Sequence, residues 1–496
     1  VAAVLGGGLF AFGFGVEVWP LAGAIGIAPL VWAVATSRSR GESFRLGFVW
    51  GVVFWFTSLV WLVPTVVNHG GQPTLVSIAL VALFASYLAL YPAFFSFVGR
   101  SMIRGPLWLA LLALPSWWLA LSWVRGWFFG GFPWNLAAYA WVDIPGALPV
   151  AAWIGAWGVT WLVVFTNVGL ARAVLDRRVS PALLAMLIPL LIFGFAGRPA
   201  TDVAPTGEPV RIDLVQPNIP IRGADADPGP DYRRLIEQSR RICDGTPRVL
   251  VWPESAAYPL TWQGDLQLQK DLIALAAEGC AVVLNNPFWV FDEDAPTDDN
   301  VEMYNTALLV DERGLVGRYA KRRLVPWGEY VPLGDLLPFV GQVGRSAGIG
   351  SFTPGREVAL LRTRNTALGL AICYEIIFPG EVASSARAGG EILVTMTNDA
   401  WYGDTSAPWQ HYRAARFRAA ENRRPVIRAA ITGVSGLIDA RGRELDRLGV
   451  GEVGNLGMWT RGDTRPTLFA RAPWAVPILA WLVSAFAIIR GWRKKP

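Results

Sequence analysis

Three apolar stretches of this chain each end on a side chain capable of proton or acyl chemistry. Val249-Leu250-Val251-Trp252-Pro253-Glu254 ends on a carboxylate, Gly317-Arg318-Tyr319-Ala320-Lys321 on an amine, and Ala367 to Ile372 on Cys373. Each reads as a strand opening into a loop, so each holds one ionisable group where a rigid element meets accessible space. A thiol needs a base to become a nucleophilic thiolate, and a carboxylate in a dehydrated pocket can have its pKa raised enough to serve. An amine beside them can stabilise the oxyanion of a tetrahedral intermediate. Glu375 follows two residues after Cys373 and shares its face if the chain stays extended. Taken alone, a cysteine at a strand end is equally well explained by packing, because free cysteines are among the most buried residues.

The rest of the composition narrows the chemistry. There are only two histidines, His69 and His411, so a histidine-rich metal site is disfavoured and the base is expected to be something else. No metal and no cofactor are expected. Three cysteines (Cys243, Cys280 and Cys373) cannot all be paired, and their spacing fits no metal motif. Cys243 on an amphipathic helix and Cys280 opening a strand read as inert. His411, starting an arginine-rich helix, reads as a surface or capping residue.

The elements that must position these groups lie in an apolar chain. Of 496 residues 53% are hydrophobic and only 17% charged, which excludes an ordinary soluble enzyme. The excess is uneven: residues 1–197 are nearly all apolar, 198–472 have the composition of a globular α/β domain, and 473–489 are apolar again. Eight spans are expected, at about 1–14, 18–36, 47–67, 75–98, 106–124, 150–171, 181–197 and 473–490. The net charge of +6 is not a nucleic-acid signal, because much of it lies in short loops and a tail beside these spans. Arg38, Arg40 and Arg45, then Arg100 and Arg104, then Arg172, Arg177 and Arg178, and finally Arg490, Arg493, Lys494 and Lys495 all fall on one side. The opposite loops carry almost no lysine or arginine. The positive-inside rule makes the basic side cytoplasmic and turns the large domain outward. One outer loop, Trp123 to Trp134, is crowded with aromatics and glycines; it reads either as an interfacial aromatic belt or as a lipid-contacting floor.

Residues 201–209 form a polar linker. Beyond it, strands are expected at Val210–Gln216, Val249–Trp252, Ala281–Asn285, Thr306–Val310, Leu315–Tyr319, Ile392–Thr397, Val426–Ala430 and Gly436–Asp439. Helices are expected at Asp231–Cys243, Leu266–Ala277, Gly380–Ala388 and Trp409–Asn422. Alternation of this kind argues for layered α/β packing. The chain shows no internal repeat and no glycine-rich phosphate loop.

The order Trp-Pro-Glu, then Tyr-x-Lys, then Cys-Tyr-Glu resembles the nitrilase (carbon–nitrogen hydrolase) superfamily. Leu324 to Pro332, Tyr304-Asn305-Thr306 and Asn398-Asp399-Ala400-Trp401-Tyr402-Gly403 extend the likeness. With apolar spans on both sides and Gly131-Phe132-Pro133-Trp134 in the outer loop, nearly the whole chain resembles the bacterial apolipoprotein N-acyltransferases, the membrane-embedded members of that superfamily. The resemblance implies an αββα sandwich on a multi-pass helical domain in the bacterial inner membrane. It implies Glu254 as general base, Lys321 as oxyanion stabiliser, Cys373 as nucleophile and the Tyr374 backbone N–H as a second oxyanion donor. Glu329 matches an additional active-site glutamate and Glu375 a further acidic position, for which a structural carboxylate is the alternative. Trp327, Trp401, Tyr402 and Trp134 are candidate substrate-gate or lipid-contact residues, with ordinary packing as the alternative. The implied partners are a phospholipid acyl donor and a diacylglyceryl apolipoprotein acceptor, handled by a monomer, with no nucleic acid. A membrane-tethered amidase acting on small C–N substrates is the alternative function, and a transporter or lipid-binding protein with a degenerate hydrolase domain is a more distant one.

Overall fold

The computed structural model describes residues 1–198, 205–221, 227–291, 301–332 and 352–493. Part of the expected 201–209 linker and the basic Lys494 and Lys495 lie outside the described residues. The chain divides into two compact units: 1–203 with 405–417 and 472–496, and 204–404 with 418–471. This differs from the contiguous boundaries drawn on composition, since 405–417 group with the helical unit.

The helical unit begins with α1 (Ala2–Ala11), α2 (Pro20–Ile25) and α3 (Ala28–Thr36). It continues through α4 (Arg40–Ser58), α5 (Leu62–Asn68), α6 (Thr74–Ile103), α7 (Leu107–Arg125), α8 (Ala147–Asp176) and α9 (Ser180–Ala196). By length and apolarity α6, α7 and α8 can each cross a bilayer, and α4 with α5 makes a fourth if that pair, bent by 55°, is one span. The other expected spans are shorter apolar helices: 2–14, 20–36, 180–196 and 475–490. Glycine allows a close approach in this unit, where a Cβ on Gly47 would lie 2.3 Å from the Pro92 carbonyl oxygen, so α4 and α6 pack backbone to backbone.

The second unit is built from two six-stranded sheets. The first has the order β12-β1-β2-β3-β4-β5, with β1 (Pro209–Gln216), β2 (Arg248–Val251), β3 (Cys280–Phe291), β4 (Val301–Asp311), β5 (Gly314–Ala320) and β12 (Gly454–Arg461). The second has the order β11-β10-β9-β8-β7-β6, with β6 (Leu360–Arg362), β7 (Ala367–Ile372), β8 (Ile392–Thr397), β9 (Val426–Ala430), β10 (Ser435–Ile438) and β11 (Glu444–Leu448). Strands β7 and β8 run parallel and are buried at every position, as central parallel strands covered on both faces must be. One core lies between the sheets, where Ile212, Val251 and Leu309 of the first meet Leu370, Val394 and Ile427 of the second. A second core covers the outer face of the first sheet with α10 (Gly229–Arg240) and α11 (Leu266–Ala277). Helix α12 (Pro379–Arg387) packs on β7. The expected αββα layering is therefore present.

One expectation about a single residue fails, and the two cysteines read as inert prove to be paired. Cys243 and Cys280 form a disulfide, with Cα atoms 5.7 Å apart, that joins the chain just after α10 to the start of β3. His411 is neither surface nor cap. It lies on α13 (Ala407–Asn422) at 1% exposure, its ring stacked on Trp134 at 5.5 Å. The same turn of α13 buries Gln410 and Arg413, so what reads as a polar surface face is an interior one.

Candidate active site

The carboxylate, amine and thiol converge at the ends of three strands. Glu254 follows β2, Lys321 follows β5, and Cys373 follows β7 as the first residue of a short 3-10 turn, Cys373–Ile377. The ladder continues to the lysine, whose backbone N–H donates to the Asn305 carbonyl at 2.8 Å. Three non-glycine residues at these bends have left-handed backbones: Ser255 (φ 59°), Trp327 (φ 61°) and Cys373 (φ 49°). Each costs roughly 1–2 kcal/mol, a strain that surrounding packing must hold, and such residues concentrate where function needs a particular side-chain direction. Cys373 is buried there, 6% exposed, and packs against the core between the sheets.

The polar atoms interlock. Lys321 Nζ lies 3.0 Å from Glu329 Oε1 and 3.6 Å from Glu254 Oε1, and the lysine is 1% exposed. Asn305 Nδ2 donates to Glu329 Oε1 at 2.6 Å and to Glu254 Oε1 at 3.2 Å, while its Oδ1 accepts from Asn285 Nδ2 at 2.5 Å. The second oxygens are held by backbone: Glu254 Oε2 accepts from Asn398 N at 2.9 Å and Glu329 Oε2 from Val325 N at 2.8 Å. Breaking such a buried pair by removing one partner leaves an uncompensated charge.

Burial alone would lower the Lys321 pKa, but the carboxylates of Glu329 and Glu254 outweigh it and keep the amine cationic. Burial pushes the Cys373 thiol up, the Glu254 carboxylate adds to the rise, and Lys321 opposes it. The resting sulfur is therefore a thiol, with the Glu254 carboxylate among its charged neighbours.

Glu375 is a structural acceptor. It is 1% exposed, and its oxygens accept from Tyr319 Oη (2.9 Å), Arg322 N (2.7 Å), Arg323 N (3.1 Å) and Ile372 N (2.8 Å). Burial raises its pKa, and the backbone donors pull it back. These bonds tie the loop after Lys321 to the turn that carries Cys373. Tyr374 is buried, its ring edge-on to Phe378 at 5.1 Å. Tyr402 has its hydroxyl near the sulfur: burial first, then the charges of Cys373, Asp399 and Glu254, drive its pKa well above 10. Trp327 (56%) and Trp401 (44%) are exposed. Trp134 belongs to the helical unit. It is 3% exposed, with Nε1 donating to Gln410 Oε1 at 2.6 Å, and offers no surface to lipid. In its loop it is Trp127, Phe128 and Phe129 that are exposed.

The sequence reading missed Asn285 and the bridging role of Asn305. The signal was there, because the polar pair Asn285-Asn286 interrupts an apolar run much as the other site residues end theirs.

Two family models match the chain, one for the apolipoprotein N-acyltransferase N-terminal domain over residues 6–169 and one for carbon-nitrogen hydrolase over residues 211–459. An apolipoprotein N-acyltransferase of Geobacter metallireducens is 37% identical, with 89% of this chain aligned to 85% of that protein. The chain belongs to the apolipoprotein N-acyltransferase family. A Methylococcus capsulatus protein of the same name is 32% identical over 89% of this chain and 86% of its own length, and one from Vibrio cholerae 29% over 97% and 94%. Among solved structures, a Saccharomyces cerevisiae member of branch 10 of the nitrilase superfamily aligns with 55% of this chain and 95% of its own, at 18% identity and a TM-score of 0.39. Family membership makes the protein an acyltransferase on a nitrilase-like α/β domain. The match over residues 6–169 separates it from an amidase on a plain anchor.

Proposed function

We propose that the protein transfers an acyl chain from a membrane phospholipid, through a thioester on Cys373, to the α-amine of the diacylglyceryl-modified N-terminal cysteine of an apolipoprotein. The observation that carries this is the convergence of Glu254, Lys321 and Cys373 at three strand ends, in a chain whose relatives bear that name. Glu254 takes the thiol proton as the sulfur adds to the ester carbonyl. Lys321 Nζ and the Tyr374 backbone N–H stabilise the oxyanion, and Glu329 keeps the amine aimed and charged. Collapse breaks the ester C–O bond, and Glu254 returns its proton to the departing lysophospholipid. The acceptor amine then adds to the thioester and gives a proton to Glu254. Collapse breaks the C–S bond, and that proton returns to sulfur. Two acyl transfers through a good thiolate leaving group replace one difficult step, and the kinetics are ping-pong. Both substrates are membrane-anchored, so holding the site at the membrane surface turns a bulk search into a local one.

The eight apolar segments then act as spans, some of them bent or short, with the basic loops cytoplasmic and the sandwich unit on the periplasmic side of the inner membrane. The Cys243–Cys280 disulfide supports that side, since such bonds persist in oxidising compartments. It also leaves Cys373 as the one cysteine of the three outside a disulfide.

The test is mass spectrometry of the purified protein after exposure to phospholipid alone. An acyl adduct should map to Cys373, be cleaved by neutral hydroxylamine, be absent from Cys373→Ala, and discharge onto an added apolipoprotein. An adduct that forms only when both substrates are present, or full acyl transfer by Cys373→Ala, would end the reading.

A further inference from the structure

Strand β8 ends beside the nucleophile with a residue that the mechanism above does not use. Ile372 is in register with Met396 on the parallel neighbour, and Cys373 and Thr397 are the next residues after that pair on the two chains. The Thr397 side chain is fully buried and hydrogen-bonds with the Cys373 side chain. Its Oγ1 is also 2.8 Å from Asp399 Oδ1. Asp399 is itself fully buried, and its other oxygen accepts from Arg428 Nη2 at 2.7 Å, again with neither side chain exposed. Gly433 is what lets this carboxylate sit there, because a Cβ at that position would lie 2.3 Å from Asp399 Oδ2.

A hydroxyl has one proton to give and two lone pairs. Asp399 accepts at both oxygens, from Thr397 Oγ1 at 2.8 Å and from Arg428 Nη2 at 2.7 Å, so Thr397 is its donor in the resting state. While that bond stands, Thr397 can only accept from the thiol. Once Glu254 has removed the thiol proton, the sulfur becomes a charged acceptor, and a rotation about χ of the hydroxyl delivers the same proton to it. No covalent bond changes in that rotation, and Asp399 keeps Arg428 as its partner.

We propose that Thr397 is a switchable donor to the Cys373 thiolate, with Asp399 and Arg428 as positioning residues that hold its hydroxyl toward the carboxylate until the sulfur loses its proton. The proposal rests on Cys373 being the nucleophile. It also explains how an acidic residue is tolerated so near a sulfur that must become an anion: Arg428 balances its charge, and Thr397 stands between the two. Around the sulfur the charged or titratable groups are Glu254 at the end of β2, Lys321 at the end of β5, and Asp399 and Tyr402 on the turn after β8. Burial, Glu254 and Asp399 raise the thiol pKa, and Lys321 and the Thr397 hydrogen bond lower it.

The test is the pH profile of Cys373 alkylation by iodoacetamide in the full-length protein, read by peptide mass spectrometry. Hydrogen bonds to charged acceptors are strong enough that Thr397→Val should raise the midpoint by about one pH unit and slow alkylation about tenfold at neutral pH. Thr397→Ser keeps the hydroxyl and should stay within about twofold of the parent. An unchanged midpoint in Thr397→Val, or equal impairment of Thr397→Ser, would overturn the proposal, since a packing role depends on the methyl and not on the hydroxyl. Alkylation needs neither phospholipid nor lipoprotein. A Thr397-dependent midpoint in a protein that never forms an acyl thioester would therefore sink the proposed function and leave this inference standing.

Discussion

Both units bury polar side chains, but they pair them differently. At the strand ends of the sandwich unit the buried groups include acid–base pairs: Lys321 between Glu254 and Glu329, and Arg428 on Asp399. In the helical unit the buried guanidiniums of Arg125 and Arg413 donate to backbone carbonyls, and two neutral amides each bridge several elements. Asn167 donates to the carbonyls of Gly23 and Val163 and accepts from Ile27 N and Ala28 N, all at 2.9 Å. Gln410 donates to the carbonyls of Phe14 (2.9 Å) and Ser58 (3.0 Å) and accepts from Trp61 Nε1 (3.2 Å) and Trp134 Nε1 (2.6 Å). An amide with two donors and two acceptor sites can be fully satisfied without burying net charge, which suits a scaffold. An ammonium between carboxylates is expensive to desolvate and valuable only if the charge is used. Hydrogen-bonded amides tie one unit together, and paired charges gather at the strand ends of the other.

The largest expected effect tests the paired charges. Lys321→Arg keeps a positive charge but replaces a compact ammonium by a planar fork, which cannot take the same positions against Glu329 and Glu254. Turnover should fall at least about a hundredfold, the loss seen when an oxyanion donor is removed. The melting temperature should move little, because the charge balance survives. Near-normal turnover would mean the lysine is scaffold after all and would erase the contrast between the units.

How much of this was readable in the chain depends on what each residue answers to. Strands β7 and β8 announce themselves because central parallel strands need apolar side chains on both faces. The strands that escaped notice, β6, β11 and β12, all lie at sheet edges, where half-exposed side chains break the apolar run. Glu254, Lys321 and Cys373 were visible because each ends a run that ought to continue. Thr397 was not, since a threonine inside Ile392–Thr397 is what β-propensity alone would supply. His411 was misjudged for a related reason: its neighbours in sequence are polar, and the ring stacked on it, Trp134, comes from hundreds of positions away. The Cys243–Cys280 bond was illegible because pairing depends on a tertiary approach across 37 residues of sequence.

That disulfide gives the second prediction. It lies in the core beneath α10 and α11, away from the ionised cluster. Closing a loop of that length restricts the unfolded chain, so the Cys243→Ser, Cys280→Ser double variant should lose about 2–4 kcal/mol of stability. Phospholipid-dependent acylation of Cys373, assayed below the lowered melting temperature, should stay within about threefold of the parent. A collapse of acylation in a still-folded double variant would show that the cluster of paired charges draws its alignment from this staple, and the sandwich unit would then need its own scaffold side.

The smallest effect is expected at Gln410. Leucine has nearly the same bulk and none of the hydrogen bonds, so Gln410→Leu removes the acceptor for two indoles and the donors to two carbonyls and the Ser406 hydroxyl at once. Hydrogen bonds between membrane-embedded helices average well under 1 kcal/mol each, because the groups left behind find other partners. The total cost should be about 2 kcal/mol, read as a lower melting temperature in detergent or nanodiscs. Turnover measured below that temperature should be nearly unchanged, since Gln410 touches none of the reacting groups. Gln410→Glu separates the two possible reasons for an amide here. It keeps both acceptor sites for Trp61 and Trp134 but loses the two donors and brings a charge into an apolar interior. If neutrality is what this position selects, the glutamate should be more damaging than the leucine despite its closer shape. If Gln410→Glu melts above Gln410→Leu, the hydrogen-bond count matters more than the charge. The division between bridging amides and paired charges would then be an accident of which residues happen to be buried.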